Sequence, residues 1–127
     1  MHEPYLLVLV GVGGFLGATC RYLVAGWVGA RFGSAFPYGT LVVNITGSFL
    51  LGVLVALAAK ATGVPSTASS FLATGVLGSY TTFSTLSFES LALLQRRSYR
   101  AVVANLGGSV ALGVLAATLG VALGRTL

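Results

Sequence analysis

Charge is what this chain has least of. Only 7% of its 127 residues are Asp, Glu, Lys or Arg, two acids against seven bases, while 56% are hydrophobic. A water-soluble domain carries roughly 25% charged residues, so that class is excluded. A membrane span takes about 20 apolar residues, and the chain holds four such stretches with short connections and almost nothing else. Residues 1–127 therefore read as one all-α integral membrane domain of four transmembrane helices. A monomer this small cannot enclose a wide pore, so assembly with further subunits is expected.

The shortage of acids leaves a net charge of +5. Nucleic-acid binding would need the bases clustered on a solvated face. Instead Arg31, Lys60, Arg96, Arg97, Arg100 and Arg125 fall at helix ends, which suits lipid headgroups and a positive field that attracts anions. A single cysteine, Cys20, excludes an intrachain disulfide and is expected to be a buried, inert thiol. No positive n-region precedes the Leu16-Gly17-Ala18-Thr19-Cys20 run, so the first apolar segment is expected to be retained rather than cleaved as a lipoprotein signal. His2 stands alone and offers no metal site. There is no Ser-His-Asp set, phosphate loop or pair of carboxylates, and the chain is not expected to be an enzyme.

Helices are expected over residues 5–29, 40–61, 67–94 and 100–124. Pro37 punctuates the first loop, Gly63 and Pro65 close the second helix, Ser66 or Thr67 caps the third, and residues 96–99 form a tight polar turn. Both termini then share one side of the membrane with Lys60 and Arg125, against Arg31, Arg96, Arg97 and Arg100 on the other. Two against four is a weak bias, compatible with insertion in both orientations. Gly13 with Gly17, and Gly120 with Gly124, have the spacing that lets helix backbones approach closely.

Polar residues inside the spans form stripes. Thr40, Asn44 and Ser48 share one face of the second helix, and Asn105 and Ser109 repeat the pattern on the fourth. Two roles are open to Asn44: an interhelical hydrogen bond, or donation of N–H groups to something passing through. Arg21, in the second half of the first helix, either snorkels to the interface or sits at a vestibule that draws in anions.

The third helix carries the strongest signal. Gly75 and Gly78 permit a break, the hydroxyls of residues 79–82 serve the freed backbone, and carbonyls released there are able to coordinate a cation. Beyond it Phe83 and Leu86 share one face, Thr85 and Glu89 another. The ring edge of Phe83 is positive and able to touch an anion. Glu89 is the one acid within the spans; it is either a carboxylate paired with Arg96 or Arg97 near the helix end, or a proton carrier or gatekeeper in an ion path.

Three runs, Gly13-Gly14-Phe15-Leu16-Gly17-Ala18-Thr19-Cys20-Arg21-Tyr22, Gly39-Thr40-Leu41-Val42-Val43-Asn44-Ile45-Thr46-Gly47-Ser48-Phe49 and residues 75–89, resemble the Fluc/CrcB family of fluoride channels in the same order along the chain. The resemblance covers essentially the whole sequence. It implies an antiparallel, dual-topology homodimer in the bacterial or archaeal cell membrane, with two pores and a broken third helix. It also implies a structural sodium ion at the dimer centre, held by backbone carbonyls that match Gly78 and Thr81. Fluoride would pass Thr40, Asn44, Ser48, Phe83, Leu86, Thr85, Ser109 and Glu89, with Arg21 at the anion vestibule, and would leave the cytoplasm passively. Such a site suits a small, strongly hydrated anion, because compact donors replace its water without a fixed charge that would trap it.

One position departs from the family pattern: Leu86 stands where a second phenylalanine is usual. Leucine keeps the bulk and apolarity but has no positive ring edge. Two rival readings follow from composition. A small proton-coupled multidrug exporter works from a glutamate in its first helix, and residues 5–29 contain no acid. A non-conducting membrane subunit, one half of a heterodimer, gains some support from Leu86.

Overall fold

A computed structural model describes residues 4–33, 35–60 and 65–127, without the side chain of Ser66. The first helix, α1, runs Pro4–Phe32. Proline suits its first position, where the missing N–H has no helical partner to lose. The helix passes through Gly29 and stops three residues beyond the expected end. There Gly33 takes a φ of +89° and its N–H reaches the Gly29 carbonyl at 2.8 Å, a left-handed closure that glycine makes without a Cβ clash. Tyr38, packed on Phe36 at 4.9 Å and Phe32 at 6.1 Å between ring centroids, closes the loop.

The second helix, α2, spans Tyr38–Ala58, so it starts and ends earlier than residues 40–61. Ala61 and Gly63 lie outside the described residues. Residues 66–80 form the next rod, α3: a turn Ser66–Ser69, a π-helical stretch Ser70–Leu77 and a last turn Gly78–Tyr80. Ser66 and Thr67, the two expected caps, are thus both already inside the helix. After a two-residue interruption, α4 runs Phe83–Gln95, and α5 runs Tyr99–Thr126. Among the described residues three helices, α1, α2 and α5, are long and apolar enough to cross a membrane alone. Neither α3 nor α4 is, at about 1.5 Å of rise per residue against a core of about 30 Å; in series they make the fourth crossing.

The break lies at Thr81–Thr82, where the backbone turns extended (φ −79°, ψ 156°, then φ −149°, ψ 121°), and not at Gly75 and Gly78. β-branched threonine is comfortable in extended backbone. Glycine at 75 serves packing instead: a Cβ there would stand 2.9 Å from the Val10 carbonyl oxygen and 3.1 Å from Gly13 Cα. The loosened turns are patched by hydroxyls. Ser79 Oγ donates to the carbonyls of Gly75 at 2.8 Å and Val76 at 3.2 Å, and Thr81 Oγ1 donates to Leu77 at 3.1 Å.

Glycines set the bundle. The α1–α3 contact is built on Gly13, Gly17 and Gly75; a Cβ on Gly17 would collide with the Val76 carbonyl and Ser79 Oγ. The α2–α5 contact, the most extensive in the chain, is built on Gly52, Gly120 and Gly124, where Cβ atoms would strike backbone of the facing helix. Both small-residue pairs seen in the sequence thus serve contacts within the chain. Cys20 is exposed rather than buried, because the packed line of α1 is Gly13–Gly17–Arg21 and Cys20 stands one position beside it. At the far end of α4, Arg97 adopts a φ of 59°, a left-handed conformation that costs a residue with a Cβ about 1–2 kcal/mol.

Candidate functional site at the helix break

Interrupting a helix frees four N–H and four C=O groups on the two sides of the break. In this chain, side chains from three elements take up several of them. Asn44, in the first third of α2, donates through Nδ2 to the Thr82 carbonyl at 3.1 Å and accepts the Thr82 N–H on Oδ1 at 2.9 Å. The amide thus replaces a neighbouring peptide unit and holds the break open. Thr82 Oγ1 accepts the Thr85 N–H at 3.1 Å and caps α4. Arg21 donates Nε–H to the Ser79 carbonyl at 3.1 Å. Its charge sits at the C-terminal end of α3, where the helix dipole favours a cation.

Around this junction the expected residues divide into two groups. A cavity of about 290 Å³ is lined by Asn44, Ser48, Gly78, Thr81, Phe83 and Leu86, among others. A second, also of about 290 Å³, gathers Arg21, Thr40, Thr85 and Glu89. Thr82 borders both. A wider hollow of about 590 Å³ shares Thr40 and Glu89 with the second cavity and reaches Tyr38 and Arg96 at the membrane end. Together they trace a route from that end, past Thr40 and Glu89, to the break, on largely apolar walls edged by these polar side chains.

Phe83 is 80% exposed, whereas Leu86 is buried at 7%. The single ring therefore faces outward, and the leucine at the expected second-ring position forms an apolar wall. Glu89 makes no ion pair with Arg96 or Arg97, and its Oε1 is buried without a partner. Ser109 lines none of these three cavities; its buried Oγ has no partner. Asn105, fully buried, donates to Ser90 Oγ at 3.0 Å and ties α5 to α4. Thr82 is among the hydroxyls expected to serve the freed backbone, as it does, but sequence reasoning did not single it out as the residue at the junction. Its place as the hydroxyl three residues before Thr85, at the start of a helical run, is a capping signal that would have found it.

These features define a class: a small multi-pass helical membrane protein whose third crossing is broken and splinted by polar side chains. Residues 8–121 match the family described as CrcB-like protein, camphor resistance (CrcB). The chain is 46% identical to a fluoride-specific ion channel FluC of Rhizobium meliloti, over 95% of this chain and 97% of that protein. It is also 46% identical to the fluoride-specific ion channel FluC of Thermus thermophilus, over 98% and 96% of the two chains. A third, from Sulfurovum, is 44% identical over 98% of both. The chain belongs to the CrcB/FluC family of fluoride-specific ion channels and is a multi-pass membrane protein, not an enzyme.

Proposed function

We propose that this chain is a passive, fluoride-selective channel that carries the ion out of the cytoplasm, and that it works as an antiparallel, dual-topology homodimer with two pores. The observation that carries the reading is the splinted break: Asn44 clamps Thr82, and cavities edged by polar side chains lie on both sides of it. Among the side chains there, the second Asn44 N–H, the hydroxyls of Thr40, Ser48 and Thr85 and the edge of Phe83 are compact donors. They replace water around a small anion in steps, and none holds it with a full charge. Arg21 supplies the positive field that draws the anion in, held back from the path by its bond to Ser79. Ser109 joins the path if the second copy completes it.

The dimer reading is supported by what one chain leaves uncovered. Phe83 and the break face an open hollow, and irregular backbone is tolerated at membrane depth only against protein or water. A sodium ion fits the same place. Gly78 and Thr81 line the hollow, and no side chain among the described residues donates to their carbonyls. Backbone oxygens at a helix break are a donor set suited to Na⁺. Held there, the ion would supply a fixed positive charge that favours a nearby anion.

Reconstitution in liposomes, with potassium-driven efflux followed by a fluoride electrode, tests the function. Fluoride efflux without chloride efflux is expected. Absence of fluoride efflux from sodium-containing vesicles, in Leu86→Phe as in the parent, would overturn the channel reading in favour of a non-conducting subunit. Replacing sodium by a large organic cation tests the ion separately and is expected to lower efflux and the dimer fraction together.

A further inference from the structure

The turn between α4 and α5 carries the densest positive charge in the chain, with Arg96, Arg97 and Arg100 inside five residues. Glu89 is the only acidic side chain among the described residues, and it lies in the inner hollows. The turn closes α4 by two bonds, Arg97 N–H to the Leu94 carbonyl at 2.9 Å and Ser98 N–H to Leu93 at 3.0 Å. This pairing ordinarily places glycine at the left-handed residue; here that residue is Arg97, at a φ of 59°. A side chain kept where the backbone would be easier without it points to a use for the side chain.

Beside the turn is an open hollow of about 390 Å³ lined by Tyr99, Arg100, Val103 and Ala104. Val103 and Ala104 stand one helical turn deeper than Tyr99 and Arg100. Arg100 and Tyr99 border the hollow beside the turn, chiefly through their carbon atoms, and its surface is almost wholly apolar as it continues toward the bilayer centre. Tyr99 is 58% and Val103 70% exposed. Guanidinium groups pair with phosphate oxygens, and tyrosine settles at headgroup level.

We propose that Arg97, Tyr99 and Arg100, with the Val103–Ala104 wall, bind an anionic phospholipid, the phosphate on the arginines and an acyl chain along the wall. Charge selects the lipid. Uncompensated guanidinium groups favour a headgroup with net negative charge over a zwitterionic one, and the wall favours a lipid over a free anion.

The test places a reporter on the wall. A Trp27→Phe, Val103→Trp variant, reconstituted in phosphatidylcholine vesicles, receives a minor fraction of brominated phosphatidylglycerol or brominated phosphatidylcholine. Brominated lipid in both leaflets makes quenching independent of orientation. Quenching by the anionic lipid is expected to exceed that by the zwitterionic lipid by about fivefold or more, the enrichment that one arginine supplies near an anionic surface. Adding Arg97→Gly and Arg100→Gln should bring the ratio close to one. Arg97→Gly relaxes the turn, so it tests the side chain in a folded protein, and Arg100→Gln alone should lower the ratio partway. Equal quenching by the two lipids in the reporter protein would overturn the proposal. So would a ratio unchanged by the double substitution, or one abolished by inorganic phosphate.

Discussion

Replacing Asn44 by alanine removes both hydrogen bonds that hold the break, those to the Thr82 carbonyl and from the Thr82 N–H. Each orphaned backbone group costs about 1–3 kcal/mol where water is excluded, so the pair sets a range of about 2–6 kcal/mol. Asn44 is only half-buried, and water reaching the site recovers part of this. The lower end, about 2 kcal/mol, is the expected cost. Amide exchange at Thr82 reads it locally: its N–H should exchange about 30-fold faster in Asn44→Ala than in the parent. Asn44→Asp separates the splint from the donor. Its carboxylate still accepts the Thr82 N–H, so protection at that amide should persist, while the N–H offered to the anion is gone and a negative charge takes its place. Fluoride efflux should therefore collapse in both variants, and Thr82 exchange should accelerate only in the alanine variant. Exchange at Thr82 unchanged in Asn44→Ala would refute the splint.

Gly17→Ala drives a methyl into the Val76 carbonyl and Ser79 Oγ; thermal unfolding should show a loss of about 1–3 kcal/mol, with Gly14→Ala, which meets nothing within 4 Å, as the neutral control. Thr82→Ala removes the cap on Thr85 N–H and should cost about 1 kcal/mol, whereas Thr82→Ser, which keeps the oxygen, should restore most of it in the same melt. Leu86→Phe adds a ring beside an existing cavity; the protein should fold with its melting temperature little changed, and efflux equal to or above the parent's would show that Leu86 serves only as a wall.

The four crossings were legible because apolar runs and their punctuation are local properties. So was the character of the third helix, whose glycines and hydroxyls have no place in a simple span. The position of the break was not, for a physical reason. Gly75 and Gly78 looked like weak points, yet a glycine in a helix is as often the mark of a close neighbour, and Gly75 is pressed on Val10 and Gly13. The break fell where threonines favour extended backbone and where Asn44 stood ready to take both groups of Thr82. The spacing of Thr40, Asn44 and Ser48 predicted one shared face, but Thr40 and Ser48 stand about 12 Å apart along α2, on either side of the Asn44–Thr82 bonds, and so line different cavities. Where along α2 the broken helix crosses depends on contacts from distant parts of the chain, which spacing along one helix does not contain.

Those contacts also divide the molecule mechanically. The α1–α3 and α2–α5 pairs are each joined backbone to backbone at these glycines. The two pairs meet at a seam that Gly39 also closes, where a Cβ would stand 2.8 Å from the Ala25 carbonyl oxygen. Across that seam run the two Asn44–Thr82 bonds and the Thr46–Tyr80 bond, so Asn44 acts as one pin of a clasp: relative displacement of the leaves strains its bonds and reaches the break directly. A shift of one pair against the other would thus be felt at the broken third crossing.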